Sequence, residues 1–214
     1  MPRKKLQRFA ELRNFNNVAE NNQAQAKLKL RKFLAKNKDI ILELACGKGE
    51  YALALAQKYQ RKKIIGIDIQ GERLWFGAKF AQENKINNVF FLREQIENLE
   101  NYFTKNSISQ IWITFPDPRP RKSQIKKRLT NPRFLKIYQN ILKNKSTIHL
   151  KTDDDNFFAY SQQSVLDFSG KINEQITNLY KSRQIDETLK VQTYYEKTHL
   201  KKGKIIHYLE FSLK

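Results

Sequence analysis

The sequence predicts an α/β fold: a doubly wound, mostly parallel sheet with helices on both faces and a last strand that runs antiparallel. Three observations predict it. Short apolar runs rich in Ile and Phe recur at 40–45, 63–68, 88–92, 110–115 and 146–151. Segments of helical periodicity separate them, so consecutive strands are joined by crossovers and pair in parallel. The first strand-to-helix connection is a turn of small residues, Ala45-Cys46-Gly47-Lys48-Gly49, the kind that lets a ligand approach the backbone at the edge of an open sheet.

The elements follow in order. Residues 1–38 carry eleven Lys or Arg against two Glu, and apolar positions at Ala24, Leu28, Leu30, Phe33 and Leu34 predict a helix over 24–37 behind a looser basic arm that orders when it meets RNA. From Asp39 the alternation begins: strand 40–45, helix 50–60, strand 63–68, helix 72–84 and strand 88–92. The helix at 72–84 turns Leu74, Ala78 and Ala81 to the core. A helix at 96–104, a strand at 110–115, a loop of prolines and cations, a helix at 132–142 and a strand at 146–151 come next. Phe157, Ser161, Val165 and Phe168 share a helical register, and strands over 171–178 and 205–213 close the chain. With no internal repeat and no Gly/Ser linker, the expected organisation is a basic arm and helix over 1–38 and one domain over 39–214.

Composition narrows the function. The chain has 214 residues, 40% of them hydrophobic and 12% aromatic, enough for a substantial core. Its net charge is +20, from 41 Lys and Arg against 21 Asp and Glu, which draws a protein to polyanions. No apolar run nears the ~20 residues of a spanning helix, and Met-Pro-Arg-Lys-Lys has no apolar signal core, so the expected location is cytoplasmic, without a membrane partner. Cys46 is the single cysteine, which excludes an intrachain disulfide and a thiolate zinc cluster. His149, His199 and His207 lack metal-ligand spacing, and no metal is expected; they read as structural or surface histidines.

The densest chemistry lies at 115–128. Pro116, Pro118 and Pro120 fix φ and hold their preceding residues out of helical space, so Asp117 stands on a stiff turn at a strand end. Arg119, Arg121, Lys122, Lys126, Lys127 and Arg128 follow without an acid among them. A charge run is usually a solvated face; six cations in ten residues beside a positioned carboxylate favour contact with phosphates. Trp112 and Phe115 alternate along the strand and read as core.

The small-residue turn has two cofactor readings. Gly47-Lys48-Gly49-Glu50-Tyr51-Ala52 satisfies a dinucleotide fingerprint, with Asp68 at the ~20-residue spacing of a ribose ligand. Glu43 argues the other way: at the end of the first strand it would repel a pyrophosphate and attract the cationic S-adenosylmethionine. A third reading is a plain βα turn, with Cys46 as a small filler and Asp68 as a helix cap. Glu43, Asp68, Asp117 and Asp153 all fall at strand carboxyl ends, so the expectation is that they share one cleft. Asp153 serves equally as substrate contact or helix cap, whereas Asp154 and Asp155 complement a helix dipole.

These blocks, in this order, resemble the bacterial tRNA (guanine-N7-)-methyltransferase family, a class I S-adenosylmethionine-dependent fold. The resemblance rests on Glu43 to Gly49, Gly66-Ile67-Asp68, Phe115-Pro116-Asp117-Pro118 with its basic loop, Lys151-Thr152-Asp153 and Thr193-Tyr194-Tyr195-Glu196. It implies methyl transfer to N7 of a tRNA guanine, in the variable loop. It also implies that Glu43, Gly47, Gly49, Asp68, Gln95 and Asp117 bind S-adenosylmethionine and that Asp117 is catalytic. Arg121, Asp153, Thr193, Tyr194, Tyr195 and Glu196 would bind the tRNA. The chain departs from the pattern at Ala45, where the turn has its first glycine; at Gln95, where an Asp is usual; at Arg119, where a Trp is; and at Gln124, where a His is. Two rivals stay open: an adenine amino methyltransferase, whose Asp/Asn-Pro-Pro-aromatic motif lacks its aromatic here, and a non-catalytic RNA-binding protein on the same scaffold. Monomer and homodimer are both compatible with the sequence.

Overall fold

A computed structural model describes residues 2–20, 23–35, 39–182 and 185–214, and the chain divides into two compact units, Met1–Tyr102 and Phe103–Lys214. In the first unit, helix α1 (Pro2–Leu12), strand β1 (Val18–Glu20) and helix α2 (Gln23–Leu34) precede β2 (Ile40–Leu44), α3 (Glu50–Lys58), β3 (Lys63–Asp68), α4 (Gly71–Glu83) and β4 (Val89–Arg93). β2 pairs with β3, β3 with β4 and β4 with β1, all in parallel. Every residue of β2 is buried, the mark of a strand covered on both faces. The register sets Glu43 opposite Gly66 and Asp68 opposite Arg93, so the acids of β2 and β3 leave the same edge, beside the end of β4. Phe91 explains three glycines at once. A Cβ on Gly49, Gly66 or Gly77 would lie 2.3, 2.9 or 2.7 Å from its ring, so each glycine makes room for the same aromatic.

The arm expected to be loose is built instead into this unit. The Trp75 indole N–H donates to Glu11 at 2.8 Å, and the Arg8 guanidinium sits 4.5 Å from the centre of the Phe76 ring. Val18 and Ala19 are buried, and Glu20 pairs with Arg93 at 2.8 Å. Three residues of strand and a few side-chain anchors are signals too short to read from a polar segment. α2 matches the expected helix but stops at Leu34; the expected last turn at 36–37 and the boundary at 38 lie outside the described residues.

The second unit contains β5 (Ile108–Thr114), α5 (Pro132–Ile141), β6 (Leu142–Thr152), α6 (Asp155–Asp167), β7 (Lys171–Ile176), α7 (Tyr194–Lys201) and β8 (His207–Ser212). β5 pairs in parallel with β6, and β8 runs antiparallel to both β6 and β7, as expected for the last strand. Side-chain caps start the helices: Asn131 accepts from Arg133 N, with Pro132 in the first turn; Asp154 accepts from Phe157 N; Thr193 accepts from Glu196 N. Asp154 is thus a cap as well as a dipole partner. β6 starts at Leu142, earlier than the expected 146, because Leu142 pairs opposite Ile108 before the register shifts. Helix α7 is a further element that periodicity did not reveal. Within this unit Ile113, Leu150, Phe157, Leu209 and Phe211 are fully buried.

Candidate active site

In the first unit the turn after β2 is held by carboxylates of two strands. Glu43 is 1% exposed, and its Oε2 accepts the Ala52 N–H at 2.7 Å. The N-cap position before α3 is Gly49, which has no side chain to cap the helix, so a carboxylate of the preceding strand β2 satisfies an amide of the first turn. Asp68 accepts from Gly47 N at 2.9 Å with Oδ2 and from Gln70 N at 2.8 Å with Oδ1. The turn is therefore tied to the end of β3. Ala45, Gly47 and Gly49 all have positive φ, 54°, 55° and 71°. Ala45 thus occupies a glycine conformation, which costs about 1 kcal/mol for a residue with a Cβ. A side chain built on Gly47 would meet nothing within 4 Å, whereas one on Gly49 collides with Phe91. Gly47 opens the turn; Gly49 packs it. The Cys46 thiol is pushed well up, first by burial and then by the charges of Glu43 and Asp68.

Gln95 is exposed, and its backbone N–H donates to Glu94 Oε1 at 2.8 Å. Glu94 is a third buried acid at this edge, after Glu43 and Asp68, also accepting from Asn98 Nδ2 at 2.9 Å and Tyr102 OH at 2.6 Å. Burial alone would raise its pKa; the three hydrogen bonds outweigh that and hold it below the usual range. The strand-end rule that selected Glu43 and Asp68 points to Glu94 as well, immediately after β4.

In the second unit β5 and β6 set Thr114 opposite Lys151, and Phe115 N donates to Lys151 O at 2.8 Å. Asp117 and Asp153 therefore follow adjacent parallel strands off one edge. Phe115 and Arg119, which precede Pro116 and Pro120, flank Asp117 at φ 49° and 50° and not in the extended region that a following proline favours, so the loop is strained on both sides of the acid. The Asp117 side chain is 58% exposed; Oδ1 accepts from Arg119 N at 3.0 Å and Oδ2 lies 3.2 Å from Arg119 Nη1. Arg128 departs from the expected phosphate role. It is buried, with Nε donating to the carbonyls of Pro118 at 3.1 Å and Arg119 at 3.3 Å and its guanidinium 4.4 Å from the Tyr160 ring centre. It staples the loop that carries Asp117, and Arg121, Lys122, Lys126 and Lys127 stay exposed.

Asp153 Oδ2 lies 2.8 Å from His199 Nδ1 and 3.7 Å from Lys204 Nζ. The Tyr195 ring stacks on His199 at 4.0 Å and meets Phe115 at 5.4 Å. Burial raises the Tyr195 hydroxyl, and so do the charges of Asp153, Asp117 and Asp154, which all bear on this ring. Tyr194 is 67% exposed. Glu196 is fully enclosed: Oε1 pairs with Lys151 Nζ at 2.7 Å and accepts from Tyr180 OH at 2.7 Å. Lys151 also donates to the carbonyls of Leu189 and Val191, both at 3.1 Å. Burial lowers its pKa against the opposing charge of Glu196. Lys151 and His199 join Glu94 as residues that the sequence reading missed. Lys151 had a signal, a cation closing the apolar end of a strand; His199 had none, since its partner is 46 residues away.

A methyltransferase fold family matches this architecture: the family described as "Putative methyltransferase" covers residues 37–209, and the chain belongs to it. Solved structures agree on the fold. The 16S rRNA methyltransferase KamB aligns with a TM-score of 0.66 at 11% identity over 87% of this chain and 93% of its own. An uncultured bacterium's 30S ribosomal A1408 methyltransferase aligns with a TM-score of 0.62 at 17% identity over 88% and 94%. Sequence relatives are more specific. The tRNA (guanine-N(7)-)-methyltransferase of Christiangramia forsetii is 42% identical over 98% of both chains. That of Cytophaga hutchinsonii is 37% identical over 99% of this chain and 98% of its own. The chain is a member of the tRNA (guanine-N(7)-)-methyltransferase family.

Proposed function

We propose that this methyltransferase moves the methyl group of S-adenosylmethionine to N7 of a guanine in the variable loop of tRNA, with Glu43, Gly47 and Asp68 serving the cofactor and Asp117 and Asp153 serving the guanine. The observation that carries the reading is that Asp117 and Asp153 follow adjacent parallel strands off one edge, where the Tyr195 ring lies against both Phe115 and the His199 that meets Asp153, beside a loop of exposed cations. The cofactor fits the first unit's turn on two counts. Gly47 leaves open space where a side chain would stand, and Glu43 and Asp68 put negative charge there, suited to a sulfonium. Gly49 supports the turn through Phe91, and Glu94 with Gln95 forms its neighbour at the end of β4.

When bound, S-adenosylmethionine supplies an electrophilic methyl carbon. Guanine N7 has an in-plane lone pair and no proton, so no side chain has to remove one. What the chain must do is orient and stabilise. Asp117 and Asp153 accept hydrogen bonds from the guanine and oppose the positive charge that spreads into the purine as N7 is alkylated. Tyr194 and Tyr195 offer exposed aromatic surface to a base. Glu196, sealed against Lys151, acts by fixing α7, and Thr193 by capping it. Arg121 and its exposed neighbours hold the RNA backbone. Four such contacts predict that affinity for tRNA falls roughly 10²-fold between 50 and 200 mM salt; a filter-binding titration showing no salt dependence would remove that role. The function itself is tested by incubating the protein with unmodified tRNA and labelled S-adenosylmethionine, then mapping the product by mass spectrometry. The expected product is 7-methylguanosine in the variable loop. A methylated adenine amino group, or tRNA that binds without being methylated, would replace this reading with one of its rivals.

A further inference from the structure

Helix α7 presents Tyr195 and His199 four residues apart on one face, while Glu196 turns away to the buried Lys151. The His199 imidazole lies against the Tyr195 ring at 4.0 Å and 21°, nearly parallel, and its Nδ1 is 2.8 Å from Asp153 Oδ2. An ionised carboxylate only accepts hydrogen bonds, so Nδ1 carries the hydrogen and the contact fixes both tautomer and ring plane. A turn past α7, closed at Gly203 with φ 72°, brings Lys204 back to 3.7 Å from the same oxygen. Both contacts fall on Oδ2. On its other contact the Tyr195 ring meets Phe115 at 5.4 Å, tilted by 50°, two residues before Asp117, so the packing that orients His199 also touches the loop bearing the second acid.

We propose that His199 is a positioning residue for guanine methylation: donating from Nδ1 to Asp153 Oδ2, with its ring clamped on Tyr195, it sets the Asp153 carboxylate so that Oδ1 meets the guanine. This rests on Asp153 contacting the guanine, as argued above. A lone aspartate at a strand end rotates about two torsions, and an oxygen displaced by about 1 Å costs on the order of 10²-fold in a rate that depends on orientation. His199 removes that freedom without touching a reacting atom.

Three variants separate this role from space filling. His199→Asn keeps an amide N–H near the Nδ1 position, His199→Gln moves it toward Nε2, and His199→Ala removes it. Single-turnover methylation of tRNA at saturating S-adenosylmethionine is measured for each, together with cofactor Kd, thermal midpoint, and the variants Asp153→Asn and Asp153→Asn/His199→Ala. The expected pattern is a 10- to 100-fold slower step for Ala and Gln, recovery to within about 3-fold of the parent for Asn, and cofactor Kd within about 2-fold throughout. The double variant is then no slower than Asp153→Asn alone, since His199 acts only through Asp153. If Asp153→Asn is as fast as the parent, the guanine contact falls, and this proposal with it. If Asp153→Asn is slow but His199→Ala is fast, if Gln recovers as well as Asn, or if the losses add in the double variant, the positioning role is overturned while the Asp153 contact stands. A rate loss matched by a fall in thermal midpoint, and equal for Asn and Ala, also overturns it.

Discussion

The two units hold their acids by different means. In the first, backbone amides do most of it: Glu43 accepts from Ala52, Asp68 from Gly47 and Gln70, and Glu94 from Gln95, with the Asn98 and Tyr102 side chains added on Glu94. In the second, side chains do most of it: the Arg119 guanidinium on Asp117 beside that residue's own amide, His199 and Lys204 on Asp153, and Lys151 with Tyr180 on Glu196. A carboxylate held by amides is fixed as soon as the turn folds. One held by side chains can be reset when a large substrate arrives. The difference suits a cofactor of constant shape in one place and a folded RNA in the other, and it predicts where substitutions will hurt stability and where they will not.

The largest expected effect breaks the second unit's hold. Lys151→Met leaves the enclosed Glu196 without its cation and should cost about 3–5 kcal/mol; urea denaturation would show it, with Lys151→Met/Glu196→Gln recovering part of the loss. A change below about 1 kcal/mol would mean that the pair contributes little. Below about pH 6.5 the next effect comes from His149, a buried histidine of the same unit. Its Nδ1 meets the Tyr208 hydroxyl at 2.8 Å and its ring stacks 4.0 Å from Trp112. Burial pushes it down to about 3, against about 6.5 in an unfolded chain. Between those values the unfolded chain binds more protons, so stability is present above about 6.5 and is lost as pH falls, by up to about 1.4 kcal/mol per unit. His149→Gln should flatten thermal midpoint against pH in that window; an unchanged slope would assign the acid sensitivity elsewhere.

The first unit should respond more quietly. Glu43→Gln keeps an oxygen to accept from Ala52, so stability should fall by only about 1 kcal/mol while affinity for S-adenosylmethionine falls by 10-fold or more. Calorimetry with intact cofactor binding would contradict the charge role. Smallest is Ala45→Gly, which relieves the left-handed conformation at φ 54° and should stabilise by about 0.5–1 kcal/mol. A loss of stability there would mean that the Ala45 methyl packs better than the strain costs.

These contrasts also show what the sequence could express. β3 matches its expected 63–68 limits and β2 falls one residue short, because an apolar run bounded by turn residues is a local signal. β1 and α7 were missed for the opposite reason: three residues pairing with a distant strand, and a helix whose buried face is a single glutamate, leave no periodic trace. At the site, strand-end acids were legible as types and positions. Their partners were not, because Ala52 lies 9 residues from Glu43, Lys151 45 from Glu196, and His199 46 from Asp153, separations that only the fold closes. Arg128 counts as a cation in the sequence, yet its role depends on burial beneath Pro118 and Arg119.

The central claim is that acids of the second unit act on the purine, and Asp117→Asn tests it most directly because it keeps the shape and removes the charge. Single-turnover transfer from labelled S-adenosylmethionine to unmodified tRNA should slow by about 10²-fold or more, with tRNA affinity within a few-fold of the parent. Transfer at the parent rate would contradict the account.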